Sequence, residues 1–195
     1  MFAPFTDCTQ GQIDRLVGEF PLAWVVTGRF NAALLPLLAE HGEDGTIASL
    51  LGHCGRRNLI VEDLRANPSA LILFNGPDGY VSNRIVSEPD WGPTWNYAAI
   101  RFVVDIEFVQ DETPAALDRL LDHMDGPADQ RWTPRELGDR YRGMIDRIIA
   151  FRAHVRDMRP SFKLGQDETR PIFDEIVARH SNRDLAAWME ALARE

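Results

Sequence analysis

Gly52-His-Cys-Gly-Arg-Arg-Asn58 is followed by Arg65-Ala-Asn-Pro68 and by Phe74-Asn-Gly-Pro-Asp-Gly-Tyr-Val-Ser82, and the pattern resumes at Pro93-Thr-Trp-Asn-Tyr97. Between these groups lie apolar, β-favouring runs at residues 46–51, 69–74 and 95–109. Such runs, bounded by Gly, Pro, Asn and Asp, predict strands joined by turns. The turns carry adjacent cations, small amides and aromatic rings, the side chains that a phosphate-bearing planar ligand requires.

Residues 52–58 read as a turn after a strand over 46–51, and residues 57–65 as a short helix with Leu59, Ile60 and Leu64 inward, bounded by Pro68. Residues 75–79 supply turn chemistry between strands over 69–74 and 80–82, which reads as a hairpin. Residues 83–93 form a loop, and a loop of that length inside a compact domain is more often functional than idle.

Towards the N-terminus, Thr9 and Gln12 have capping-box spacing, and Ile13, Leu16, Val17 and Phe20 recur at helical intervals, so residues 9–20 read as a helix ended by Pro21. Residues 22–27 and 33–38 are strands about a Gly28-Arg-Phe-Asn31 hairpin turn, with Pro36 arguing for an edge position. Towards the C-terminus, Thr113-Pro114 opens a helix with Leu117, Leu120, Leu121 and Met124 on one face. Thr133-Pro-Arg-Glu136 opens another that buries Leu137, Tyr141, Met144, Ile145 and Ile148. Residues 149–156 alternate apolar and polar as a returning strand, and residues 171–179 and 184–193 read as terminal helices.

Six or seven short strands, with helices confined to connections and the C-terminus, disfavour a doubly wound parallel sheet. The expected fold class is mainly β (α+β), a mostly antiparallel barrel with peripheral helices. It forms one domain over residues 1–195 in which 169–195 are a helical extension.

The chain of 195 residues is 45% hydrophobic and 26% charged, ordinary for a soluble globular protein. Its 21 Lys+Arg against 30 Asp+Glu give a net charge of −9, which argues against sequence-independent nucleic-acid binding. Cys8 and Cys54 form no paired motif, so reduced thiols in a cytoplasm are expected. No basic-then-apolar leader and no apolar run of roughly 18 residues is present, so a soluble, unsecreted protein is expected. His41, His123, His154 and His180 are scattered without ligand spacing, and no serine-hydrolase elbow, Rossmann or P-loop motif occurs; no metal site is expected.

Arg56 and Arg57 stand between a strand end and a helix start, where unpaired N–H groups and two guanidinium forks can together hold a phosphate dianion, and Gly52 and Gly55 would let the backbone approach it. The alternative is that they are solvated or paired with Glu62 and Asp63. The quoted motifs, with Ala70 to Phe74 and Lys163-Leu-Gly-Gln166, resemble in order and over nearly the whole chain those of the PaiB-like FMN-binding proteins, a branch of the pyridoxamine-phosphate-oxidase-like split barrels.

The resemblance implies an FMN-binding split β-barrel whose phosphate site uses Arg56 and Arg57. It further implies a homodimer with the cofactor at the interface. His53 then bonds phosphate, ribityl or ring, with protonation near neutral pH adding charge, or it bonds a backbone carbonyl. Asn58 is a flavin contact or a helix-initiating amide. In Thr94-Trp-Asn-Tyr97 the rings of Trp95 and Tyr97 are expected in the core, while Thr94 and Asn96 face the ligand, Asn96 offering donor and acceptor to a flavin edge. Tyr80 and Ser82 are weaker candidates of that kind.

Lys163 and Gln166 match a Lys-Leu-Ser-Gln-Asn signature, the lysine suited to stabilising a reduced, anionic flavin. Gly165 and Asp167 depart from it, and Asp167 would repel phosphate or reduced flavin. The implied activity is that of an FMN-dependent oxidoreductase acting on a small molecule, with no catalytic residue of the chain assigned. Transcriptional regulation of the PaiB type, without a recognisable DNA-binding motif, and haem binding through His53 or His154 are the alternatives.

Overall fold

The computed structural model describes residues 5–127, 129 and 131–192. Six strands, β1 Leu22–Thr27, β2 Ala32–His41, β3 Ile47–Gly55, β4 Ser69–Val81, β5 Thr94–Phe108 and β6 Ile148–Lys163, close into an antiparallel barrel in the order β1-β2-β3-β6-β5-β4. Among the described residues six α-helices accompany them: α1 Gln10–Glu19, α2 Leu59–Ala66, α3 Thr113–Asp125, α4 Asp139–Ile145, α5 Arg170–Arg179 and α6 Arg183–Leu192. The last turn expected for α6, at Ala193, lies outside the described residues. Among those residues, no helix is long and apolar enough to cross a membrane.

The chain divides into two compact units. One comprises Val17–Phe74 and Arg101–Met158. Its core is built by alternation: Val25, Leu35, Leu37, Leu50, Ile72, Phe74, Phe102, Val104 and Phe151 are buried, and Phe74 meets Phe102 edge-on at 5.7 Å. The hairpin between β1 and β2 is pinned by buried Asp63 of α2, which accepts from Thr27 Oγ1 at 2.8 Å, Asn31 Nδ2 at 2.7 Å and Arg29 Nη1 at 3.2 Å. Glu40 accepts from Arg152 Nε and Ser49 Oγ, each at 2.6 Å. Burial alone would raise the Glu40 pKa, but hydrogen bonds from Arg152, Ser49 and Arg119 outweigh it and hold it at about 2.

The other unit takes the described parts of Met1–Leu16, Asn75–Ile100 and Arg159–Glu195. Ile13 and Leu16 of α1, Phe162, Ile176, Leu185, Trp188 and Met189 are buried, with Phe162 edge-on to Trp188 at 6.0 Å. Thr9 and Gln12 complete the expected capping box: Gln12 N–H donates to Thr9 Oγ1 at 3.3 Å and Thr9 N–H to Gln12 Oε1 at 3.1 Å.

Several local expectations are corrected. Residues 52–55 continue β3, and only Arg56-Arg57 turn. Gly52 is required there by crowding, because a Cβ would lie 2.3 Å from Leu37 Cδ2 and 2.9 Å from Phe151 Cζ. Residues 75–79 make no hairpin but run through the 13-residue β4. There a Cβ on Gly76 would lie 3.0 Å from Leu16 Cδ1, and one on Gly79 2.6 Å from His180 Cε1. Pro36 is at no edge: β2 pairs with β1 up to Pro36 and with β3 from Leu37, so the missing N–H falls where the ladders change over.

Leu59 is exposed while Val61 is buried. Thr113 lies within α3, its buried hydroxyl accepting from Ala150 N–H at 3.1 Å. The helix expected after Thr133 breaks at Gly138 (φ +57) into a 3₁₀ turn at Pro134–Leu137 and the short α4, neither of which carries the expected buried face, and Ile148 opens β6.

Candidate functional site

β3 ends at Gly55, opposite Ile148 at the start of β6. The turn that follows is tied across this ladder: Arg56 N–H donates to the Arg147 carbonyl at 2.9 Å, and Asn58 N–H to the Gly55 carbonyl at 2.9 Å. The Arg56 side chain is anchored as well, Nε donating to the Asp146 carbonyl at 2.9 Å and Nη1 to Gln110 Oε1 at 3.0 Å. Asn58 caps α2, its Oδ1 accepting from Ile60 N–H at 3.2 Å. The helix-initiating role is therefore real.

Gly55, Arg56, Arg57, Asn58, Asp146 and Arg147 line a basin of about 620 Å³. Arg57 is exposed, and its guanidinium makes no hydrogen bond or ion pair among the described residues. The alternative pairing with Asp63 is excluded, since Asp63 is buried beneath the β1–β2 hairpin and bonded there to Arg29. The space beside Gly55 is open, since a Cβ there would meet nothing within 4 Å. His53 is not among the lining residues and is half-buried in β3. Burial lowers its pKa below the usual 6.5, so it is neutral at neutral pH and adds no charge. The backbone-carbonyl bond expected as its alternative does not form among the described residues.

A second group belongs to the other unit. Lys163 Nζ, at the end of β6, donates to Thr94 Oγ1 at 2.5 Å and lies 3.9 Å from the Asp167 carboxylate. Asp167 thus partly neutralises Lys163. The Gln166 amide is spent on its own turn, accepting from Leu164 N–H at 2.6 Å and donating to the Phe162 carbonyl.

Asn96 and its neighbours fall in the opposite phase to that expected. Asn96 is fully buried, its Nδ2 3.5 Å from Met189 Sδ and its Oδ1 without a hydrogen bond. Trp95 is 55% exposed, its ring 5.8 Å from that of exposed Tyr80 and tilted to it by 57°, and Tyr97 is half-buried with its hydroxyl 3.4 Å from Ser161 Oγ. Ser82 Oγ accepts from Arg84 N–H at 3.2 Å and caps a 3₁₀ turn. Arg147 and Gln110 escaped the sequence reading, since local periodicity does not reveal which strand β3 pairs with.

The basin chemistry fits the phosphate of a flavin mononucleotide: guanidinium forks, capped helix and open glycine, with one carboxylate among the lining groups. The family model described as "Putative FMN-binding domain" matches residues 1–157, ending before Lys163. A comparison with curated protein sequences finds no match. Among solved structures, the chain is similar to the flavocytochrome Anf3 from Azotobacter vinelandii, at 13% identity over 79% of this chain and 67% of that one, with a TM-score of 0.60. It is similar to the FAD and haem binding protein from Mycobacterium smegmatis, at 17% identity over 88% and 78% with a TM-score of 0.58. It is also similar to the conserved hypothetical protein Rv2991 from Mycobacterium tuberculosis, at 12% identity over 82% and 88% with a TM-score of 0.54. At these identities the likeness shows the fold. The chain belongs to this family of FMN-binding domains, built on the flavin-binding split barrel, and FMN is its cofactor.

Proposed function

We propose that the protein is an FMN-dependent oxidoreductase acting on a small molecule, with the FMN phosphate held by Arg56 and Arg57. The observation that carries this reading is the basin of about 620 Å³, into which an anchored and an unpaired arginine converge at a strand end. Arg56 is held rigid by Asp146 and Gln110, and Arg57 supplies an uncommitted fork. Asn58 keeps its amide nitrogen for a phosphate or ribityl oxygen while Oδ1 caps α2. Lys163 and Thr94 form a linked donor pair suited to the polar edge of a flavin ring. FMN, when bound, supplies hydride and electron transfer.

The chain is proposed to work as a cytoplasmic homodimer. Supporting this, the outer face of β1, β2 and β4 is apolar: Leu22, Trp24 and Leu34 are 52%, 44% and 45% exposed, and Trp24 lies between Leu34 and Leu73 in register. The face continues into a groove of about 330 Å³ lined by Val26, Phe30, Leu71 and Val103, among others. An exposed apolar surface of this kind marks an interaction site.

Regulation of the PaiB type would then work through a metabolite or a partner, because a net charge of −9 opposes direct DNA contact. The test is absorbance and mass spectrometry of the protein as isolated, with FMN titration and sedimentation velocity on one sample. The expected result is a flavin spectrum or saturable FMN binding, on a dimer. A Soret band without flavin binding would overturn it in favour of haem.

A further inference from the structure

We propose that Arg147 is a third phosphate-binding arginine, brought beside Arg56 and Arg57 by the turn that leads into β6; the proposal rests on the reading that the basin takes the FMN phosphate. Arg147 immediately precedes β6, and its carbonyl accepts from Arg56 N–H at 2.9 Å, so the two residues lie one step beyond the Gly55 to Ile148 pair of the ladder. Its own N–H donates to the Met144 carbonyl at 3.0 Å, which fixes the backbone on the other side.

The side chain lines the basin with Arg56 and Arg57, is exposed, and makes no hydrogen bond or ion pair among the described residues. Fold stability accounts for the anchored Arg56 but gives no reason for two further guanidinium groups beside it, where like charges repel. In a chain of net charge −9 the concentration of positive charge is local. Three arginines and Asp146 leave a surplus of two positive charges among the lining side chains, matching a phosphate monoester of charge about −2 at neutral pH.

The arginines also divide the work. Arg56 has committed Nε and Nη1 to the protein, whereas Arg57 and Arg147 keep whole forks. Two uncommitted forks, one from the turn after β3 and one from the turn before β6, can together clasp a terminal phosphate, with the bidentate geometry that lysine lacks.

The experiment measures FMN and riboflavin affinity by quenching of flavin fluorescence, together with thermal unfolding, for the wild type, Arg57→Ala, Arg147→Ala and Arg147→Lys. Arg147→Ala is expected to weaken FMN about tenfold to a hundredfold and riboflavin by less than about twofold, with Arg147→Lys recovering part of the loss. If Arg57→Ala weakens FMN while Arg147→Ala leaves it within about twofold, the proposal is overturned and the basin reading stands. If neither variant affects FMN, the basin reading fails and takes this proposal with it. Equal loss of FMN and riboflavin in Arg147→Ala, with a lowered unfolding temperature, assigns Arg147 a structural role and also overturns the proposal.

Discussion

A methyl group on Gly52 would enter space already filled by Leu37 and Phe151, at 2.3 and 2.9 Å. Overpacking of this kind costs about 1–3 kcal/mol, and each kcal/mol lowers the unfolding temperature by about 2–4 °C in a chain of this size. Gly52→Ala is therefore expected to melt several degrees below the wild type, and an unchanged melting curve would contradict the packing described. Residue types here announced their chemistry more faithfully than their surroundings. Gly52 reads as a turn residue because glycine is common in turns, yet its role is set by two side chains distant in sequence. Asn96 shows the same limit: the alternation along β5 was legible, but its phase was not. Packing against Met189 turns the amide inward and leaves Trp95 outside.

Among the elements, the Lys163-Leu-Gly-Gln166 segment shows why this chain departs from the signature it resembles. Gly165 has φ +86, and a Cβ there would lie 3.0 Å from Met189 Cε and 3.1 Å from Phe173 Cδ2. Glycine thus lets α5 and α6 settle on the turn. Restoring serine, Gly165→Ser, adds left-handed strain and crowding worth about 1–3 kcal/mol. Thermal unfolding and amide hydrogen exchange are expected to show lower stability and faster exchange in α6; unchanged exchange would argue that the helices do not depend on this contact. Strands β1 and β5 and helices α1, α5 and α6 were readable because period and boundary residues agreed. The join that makes residues 69–81 one strand was not, since Asn75-Gly-Pro-Asp-Gly79 carries strong turn chemistry locally. In the barrel it is a strand beside β5, with Leu16 and His180 closing on its two glycines.

At the scale of the molecule, the antiparallel barrel follows from the count of short strands and the placement of helices. Its closure does not, because the partner of β3 is β6, about a hundred residues further along the chain. That pairing brings Arg147 and Asp146 to the Arg56-Arg57 turn and converts a dipeptide into a walled basin. Arg56 and Arg57 were visible as a motif, whereas the groups that anchor and accompany them depend on the closed sheet.

These two arginines are proposed to grip the phosphate of FMN, and the ratio of riboflavin to FMN dissociation constants in the wild type and in the Arg56→Ala plus Arg57→Ala variant decides whether they do. The wild type is expected to favour FMN by about a hundredfold or more, and the variant to lose most of that preference with little change for riboflavin. A preference that survives in the variant, or an equal loss of both ligands, would contradict the claim.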